Sequence, residues 1–223
     1  MHKATIAMAA MVFATGCHGK FKRAAPYLDT ATVQTVTTGG PYVDLGNIYV
    51  VPGTGSEQGD LLVSIAATAV NISQDVKSIN QTERIAQAVD LNGINTSMTE
   101  GLAHGLAGGP PFAYVGPGGE ADATLQMEVL SYGLFVPALG APGEFTYSVR
   151  ASVFDNSGDR VYRNTMTCTV GAGNPDAAAV VFGVVNNVKQ LERMTDDEIN
   201  EAFDNMAYYC GQQFAVTMRR HAS

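Results

Sequence analysis

The sequence predicts an α+β fold: a mixed, largely antiparallel sheet with helices packed mainly on one face. Three observations carry this. Residues 145–154 and 161–170 alternate apolar and polar side chains around Asp155-Asn156-Ser157-Gly158-Asp159, the pattern of a β-hairpin. Residues 121–129, ADATLQMEV, place Ala123, Leu125, Met127 and Val129 on one face and Thr124, Gln126 and Glu128 on the other, which suits a half-buried strand. Near the C-terminus, Thr195 and Glu198 have the spacing of a capping box and open onto the apolar stripe Ile199, Phe203, Met206, Cys210.

Composition bounds the function. The 223 residues are 46% hydrophobic and 15% charged, so the chain can bury one sizeable core. The net charge of −8 argues against nucleic acid as a partner, which would call for a basic stripe. No apolar run reaches the ~18 residues of a membrane-spanning helix.

The chain opens with MHKATIAMAAMVFATGC. Lys3 supplies a positive start, Ala4 to Ala14 an apolar stretch too short to span a bilayer, and small residues follow. Residues 1–16 are therefore expected to be a signal peptide. The segment Ala14-Thr15-Gly16-Cys17 resembles a bacterial lipobox at Gly16 and Cys17 and departs from it at Ala14, where Leu is usual. That resemblance implies cleavage before Cys17 and acylation of its thiol and amine. Acyl chains, at about 0.8 kcal/mol per buried CH₂, would hold the protein on one leaflet. His18 after the cysteine implies, by resemblance to enterobacterial sorting, the outer membrane facing the periplasm. Residues 17–41 are read as the lipidated cysteine and a Thr-, Gly- and Ala-rich tether, and 42–223 as one α+β domain. Lys20, Lys22 and Arg23 lie beside the anchor.

The elements follow in order. Residues 43–51 read as a strand, 52–60 as a loop, and 61–70, LLVSIAATAV, as either strand or helix. Val76, Ile79, Ile85 and Val89 mark a helix that Asn92-Gly93 breaks. Asn95 or Thr96 is the expected cap of the next helix, whose stripe is Met98, Leu102 and Leu106. Gly101 and Gly105 should weaken it by about 1 kcal/mol each against Ala. Gly-Gly-Pro-Pro at 108–111 ends it, 112–115 is a short strand, and 117–119 turn the chain. The strand from 121 continues through 130–136, where Gly133 suggests a bulge or a close backbone approach. A loop over 137–143 leads to the hairpin. Asn174 and Pro175 begin an apolar helix through Val188, and the last helix runs to about Met218.

Two cysteines remain after Cys17. Cys168 shares a strand face with Tyr162, Met166 and Val170, and Cys210 lies on the final helix's apolar stripe. Both thiols point into the same layer, so a Cys168–Cys210 disulfide is expected in an exported protein, the alternative being two buried free thiols. Their spacing, with no further Cys or His partners, argues against zinc.

No G-x-S-x-G, HExxH or Walker A pattern occurs, so no catalytic, cofactor or metal residues are assigned. His104 lacks a nucleophile nearby and reads as structural. Asp155 and Asp159 lack EF-hand spacing and read as a solvated turn. Asp196, Asp197 and Glu198 suit a helix N-terminus, and Tyr208 and Tyr209 read as core and rim.

Residues 79–168 resemble a broad group of bacterial envelope lipoproteins, including the auxiliary lipoproteins of lipid-transport ABC systems and the curli-secretion lipoprotein domain. The shared elements are an AD-x-x-L-x-x-x-V strand (Ala121, Asp122, Leu125, Val129) and a D-x-x-G-x-x-V turn (Asp155, Gly158, Val161). The resemblance implies a lipid-anchored, non-enzymatic accessory or binding component of an envelope transport, secretion or assembly system, with a protein partner there. A carrier of a small apolar ligand or lipid is the alternative.

Overall fold

The computed structural model describes residues 15–44, 77–116, 121–136, 144–169 and 191–223. Residues 1–14 of the expected signal peptide, the expected strand 43–51 beyond Asp44, the loop 52–60, the run 61–70, the turn 117–119, the loop 137–143 and the helix from Pro175 lie outside them. The described chain is α+β. It contains α1 (Thr15–Ala24), a 3-10 turn (Ala25–Tyr27), β1 (Thr30–Thr37), β2 (Pro41–Asp44), α2 over 77–88, α3 (Leu91–Leu106) and β3 (Tyr114–Gly116). β4 (Ala123–Phe135), β5 (Glu144–Asp155), β6 (Arg160–Thr169) and α4 (Asp196–Ala222) complete it.

The sheet order is β3-β1-β4-β5-β6, with β2 also on β4. The long β4–β5 and β5–β6 ladders are antiparallel, and β1 pairs parallel with both β3 and β4. β1 and β2 line the same flank of β4 in succession. Between them β4 bulges at Leu130, and Gly39 faces that bulge so closely that a Cβ would sit 1.5 Å from the Leu130 carbonyl oxygen. The irregularity suggested by Gly133 therefore falls three residues earlier. Gly133 itself is a close approach, its absent Cβ leaving room for the backbone of Tyr42.

One sheet face carries Ala31, Val33, Leu125, Met127, Val129, Tyr147, Val149 and Ala151, all buried. Against it pack α3, α4 and α1. Phe203 of α4 is the centre of this layer, with the rings of Tyr132, Phe145 and Tyr147 at 5.6, 5.0 and 5.8 Å. The Tyr147 hydroxyl donates to the Phe203 carbonyl at 3.0 Å, so its burial leaves no orphan polar atom. The opposite face is polar, and there Glu128 and Arg150 pair across β4 and β5 at 2.9 Å.

The segment read as a tether is part of the domain. α1 packs on β6 and α4 through fully buried Phe21, and β1 is an interior strand. Its start is tied to β4 by Asp122, whose carboxylate accepts from the Thr30 amide and hydroxyl at 3.0 and 2.9 Å. Those bonds hold the Asp122 carboxyl below its ordinary pKa. The break expected at Asn92-Gly93 is instead the first turn of α3, capped by Asp90, which accepts from the Asn92 amide. First-turn amides lack intrahelical acceptors, so Asn and Gly are tolerated there. The stripe Met98, Leu102, Leu106 is buried as expected, and the Thr195–Glu198 capping box is formed. α2 holds the turn before α4: the Arg84 guanidinium donates to the Leu191 and Met194 carbonyls and pairs with Asp196 at 3.5 Å.

Candidate functional site

Two places stand out, and both depend on the N-terminal segment. The first is the junction of α1, β6 and α4. Phe21 of α1 lies with its ring 4.6 Å from that of Tyr162 at the start of β6. The Tyr162 hydroxyl is 3.1 Å from Nδ1 of His221 near the end of α4. Burial pushes the Tyr162 phenol above its ordinary range, so it stays protonated and can donate. Cys17 sits in the first turn of α1, about 6 Å of helix rise before Phe21.

The second place is a cleft of about 410 Å³ between α3 and the β3–β1 edge. Val33, Val115 and Ala103 supply apolar wall, and Asn95, Thr99 and Glu100 supply a polar rim. Two hydrogen bonds tie α3 to β1 beside it. Thr35 and Thr99 hydroxyls are 2.6 Å apart, and the Thr37 hydroxyl donates to Asn95 at 2.9 Å. The volume lies in the range of small-molecule sites.

Cys168 and Cys210 form a disulfide, with Cα atoms 5.6 Å apart. It is buried between β6 and α4 and links edge strand to helix layer, as the shared phase of the two thiols predicts. The structure does not bring His104 to either place. It is exposed on α3, bonded through Nδ1 to the Tyr208 hydroxyl of α4. Asp155 is occupied by its own turn, its Oδ1 accepting from the Ser157 amide and hydroxyl and the Asp159 amide. Those bonds lower its pKa. Among the described residues no group of three or more His, Cys, Asp or Glu could hold a metal, and no helix is long and apolar enough to cross a membrane. Asp204 of α4 is a half-buried carboxyl raised in pKa by burial and by nearby Asp90.

Reasoning from sequence missed the cleft because its wall includes β1, read as tether. A signal was present: TATVQTVT over Thr30–Thr37 is rich in β-branched residues and puts Ala31 and Val33 in one phase.

No family model matches the chain, and no curated protein does. Among solved structures, a Xanthomonas campestris protein described by the family model DUF330 is similar over 87% of this chain and 85% of its own, at 12% identity and a TM-score of 0.37. The lipoprotein GNA1162 from Neisseria meningitidis is similar over 68% of this chain and 89% of its own, at 16% identity and a TM-score of 0.24. Both overlaps are too loose to carry a functional argument.

Proposed function

We propose that this is a lipid-anchored bacterial envelope protein, held at the membrane through Cys17 and acting as a non-enzymatic accessory or binding component of a transport, secretion or assembly system. The observation that carries the reading is the N-terminal sequence, a short positive start and apolar stretch ending in Ala14-Thr15-Gly16-Cys17. The Cys168–Cys210 disulfide suits an exported chain, since such bonds persist in oxidising compartments. His18 after the cysteine favours the outer membrane, facing the periplasm. Docking of α1 onto the body shortens the expected leash to a few residues, so the domain would ride close to the lipid surface. Replacing Cys17 with Ser should move the protein from the membrane to the soluble fraction. Unchanged membrane fractionation would reject the anchor.

The cleft favours a second reading, a carrier of a small apolar ligand. Its apolar wall and polar rim suit a molecule with one polar end. A fluorescent fatty-acid analogue should bind the unmodified domain, and Ala103→Trp, which fills the cleft, should abolish binding. No binding to either protein would remove the carrier reading.

A further inference from the structure

The three residues that meet at the α1–β6–α4 junction are each flanked by cations in the chain. Lys20, Lys22 and Arg23 surround Phe21, Arg160 and Arg163 surround Tyr162, and Arg219 and Arg220 precede His221. On β6 the register pairs Arg163 with Ser152 and Arg160 with Phe154, on the sheet face away from Tyr162, so the cations on the helix side of this contact are Lys20, Lys22 and Arg23 of α1 and Arg219 and Arg220 of α4. Lys20, Lys22, Arg23, Arg160, Arg163 and Arg220 are exposed, and no ion pair occupies them among the described residues. Arg219 is held inward, donating to the Ala107 carbonyl at the end of α3 at 3.0 Å. The carboxylates at this end are exposed Asp29 and Asp159, Asp122, bonded to Thr30, and Asp155, engaged by Ser157 and the Asp159 amide. Tyr27, in the 3-10 turn after α1, is 82% exposed and borders a pocket lined by Asp122 and Asp155 rather than by the cations.

We propose that this basic collar, Lys20, Lys22 and Arg23 of α1 with Arg220 of α4, is a docking surface for the anionic phospholipid headgroups of the leaflet that holds the anchor. It rests on the anchored reading and adds orientation to it. Acidic Asp196, Asp197, Glu198 and Glu201 lie at the other end of α4, about 40 Å away along a helix of this length. An anionic surface attracts one end of the molecule and repels the other. The α4 N-terminal end then points away from the membrane, toward a partner.

The Cys17→Ser chain produced without residues 1–16 tests this, because it reads the collar without the acyl chains or the apolar leader. It is mixed with vesicles of phosphatidylcholine alone or of phosphatidylcholine and phosphatidylglycerol in equal parts, and co-sedimentation is measured. Binding should require phosphatidylglycerol and should fall steeply with added salt, a readout that needs no further substitution. Reversing Lys22, Arg23 and Arg220 to Glu should weaken binding roughly tenfold or more. Reversing Lys77 and Arg193, at the opposite end, should leave it within about twofold. Far-UV circular dichroism verifies that the variants are folded. Equal binding to both vesicles, insensitivity to salt, or equal loss from both sets of reversals overturns the collar. Failure of the anchor shows separately, in the membrane fractionation of the chain with Cys17 intact.

Discussion

Removing the Cys168–Cys210 disulfide should lower the stability of the domain by about 4 kcal/mol. The bridge joins residues 42 apart in sequence. Closing a loop of that size removes chain entropy from the unfolded state worth roughly 4 kcal/mol at 25 °C. The Cys168→Ala/Cys210→Ala pair is the cleaner variant, since a single replacement leaves one buried thiol facing a new group. Urea unfolding of the oxidised protein against the double variant measures the loss. The reduced unsubstituted protein should fall close to the double variant, because both lack the same constraint. Equal midpoints for the oxidised protein and the variant would contradict the expectation. The effect should also reach the α1–β6–α4 junction. β6 is the edge of the sheet beside β5, and α4 carries Arg219, Arg220 and His221. The disulfide is the covalent tie between them.

The parts of this fold that were legible in the sequence are those stabilised locally. The β5–β6 hairpin shows because Phe145, Tyr147, Val149, Ala151 and Val153 alternate on one strand and a D-x-x-G-D turn follows. The start of α4 shows because Thr195 and Glu198 satisfy each other's orphan amides. The Cys168–Cys210 pair shows because each thiol has a defined phase on its element. β1 was not legible, for a physical reason. Beyond Val33 its helix-facing residues are Thr35 and Thr37, which settle against α3 by hydrogen bonds rather than apolar burial. Its parallel pairing with β4 joins Ala31 to Ala123 and leaves no local turn signal. α1 buries Phe21 but offers no amphipathic run long enough to stand out. The cleft and the collar both depend on these two elements. Of the candidate site only Cys17 and the neighbouring Lys20, Lys22 and Arg23 could therefore be read in advance.

The glycines of α3 lead to the second large expected effect, and its sign is opposite to helix propensity. In an exposed helix Gly101→Ala would gain about 1 kcal/mol. Here α3 and α4 run parallel, with Gly93 near Asp204, Gly101 near Tyr208, Gly105 near Ala215 and Gly109 near Arg219. A Cβ on Gly101 would lie 1.9 Å from the Tyr208 carbonyl oxygen and 2.7 Å from its carbon. The obstacle is backbone, so no rotamer change relieves it and the helices must separate. Gly211 faces the same contact from α4, where a Cβ would lie 2.3 Å from the Met98 carbonyl oxygen. Overpacking of this kind costs about 1–3 kcal/mol even for small additions. Gly101→Ala should therefore destabilise the domain by about 1–3 kcal/mol, and Gly101→Leu by more. Gly40→Ala, with nothing within 4 Å of its Cβ, should change stability by less than about 0.5 kcal/mol. Thermal unfolding of the three variants orders them. A stabilised Gly101→Ala would mean that the two helices do not pack this closely. Because Asn95, Thr99 and Ala103 of α3 also line the cleft, a helix pushed off α4 must shift against β1 and β3. Gly101→Ala should therefore also change the shape of the cleft.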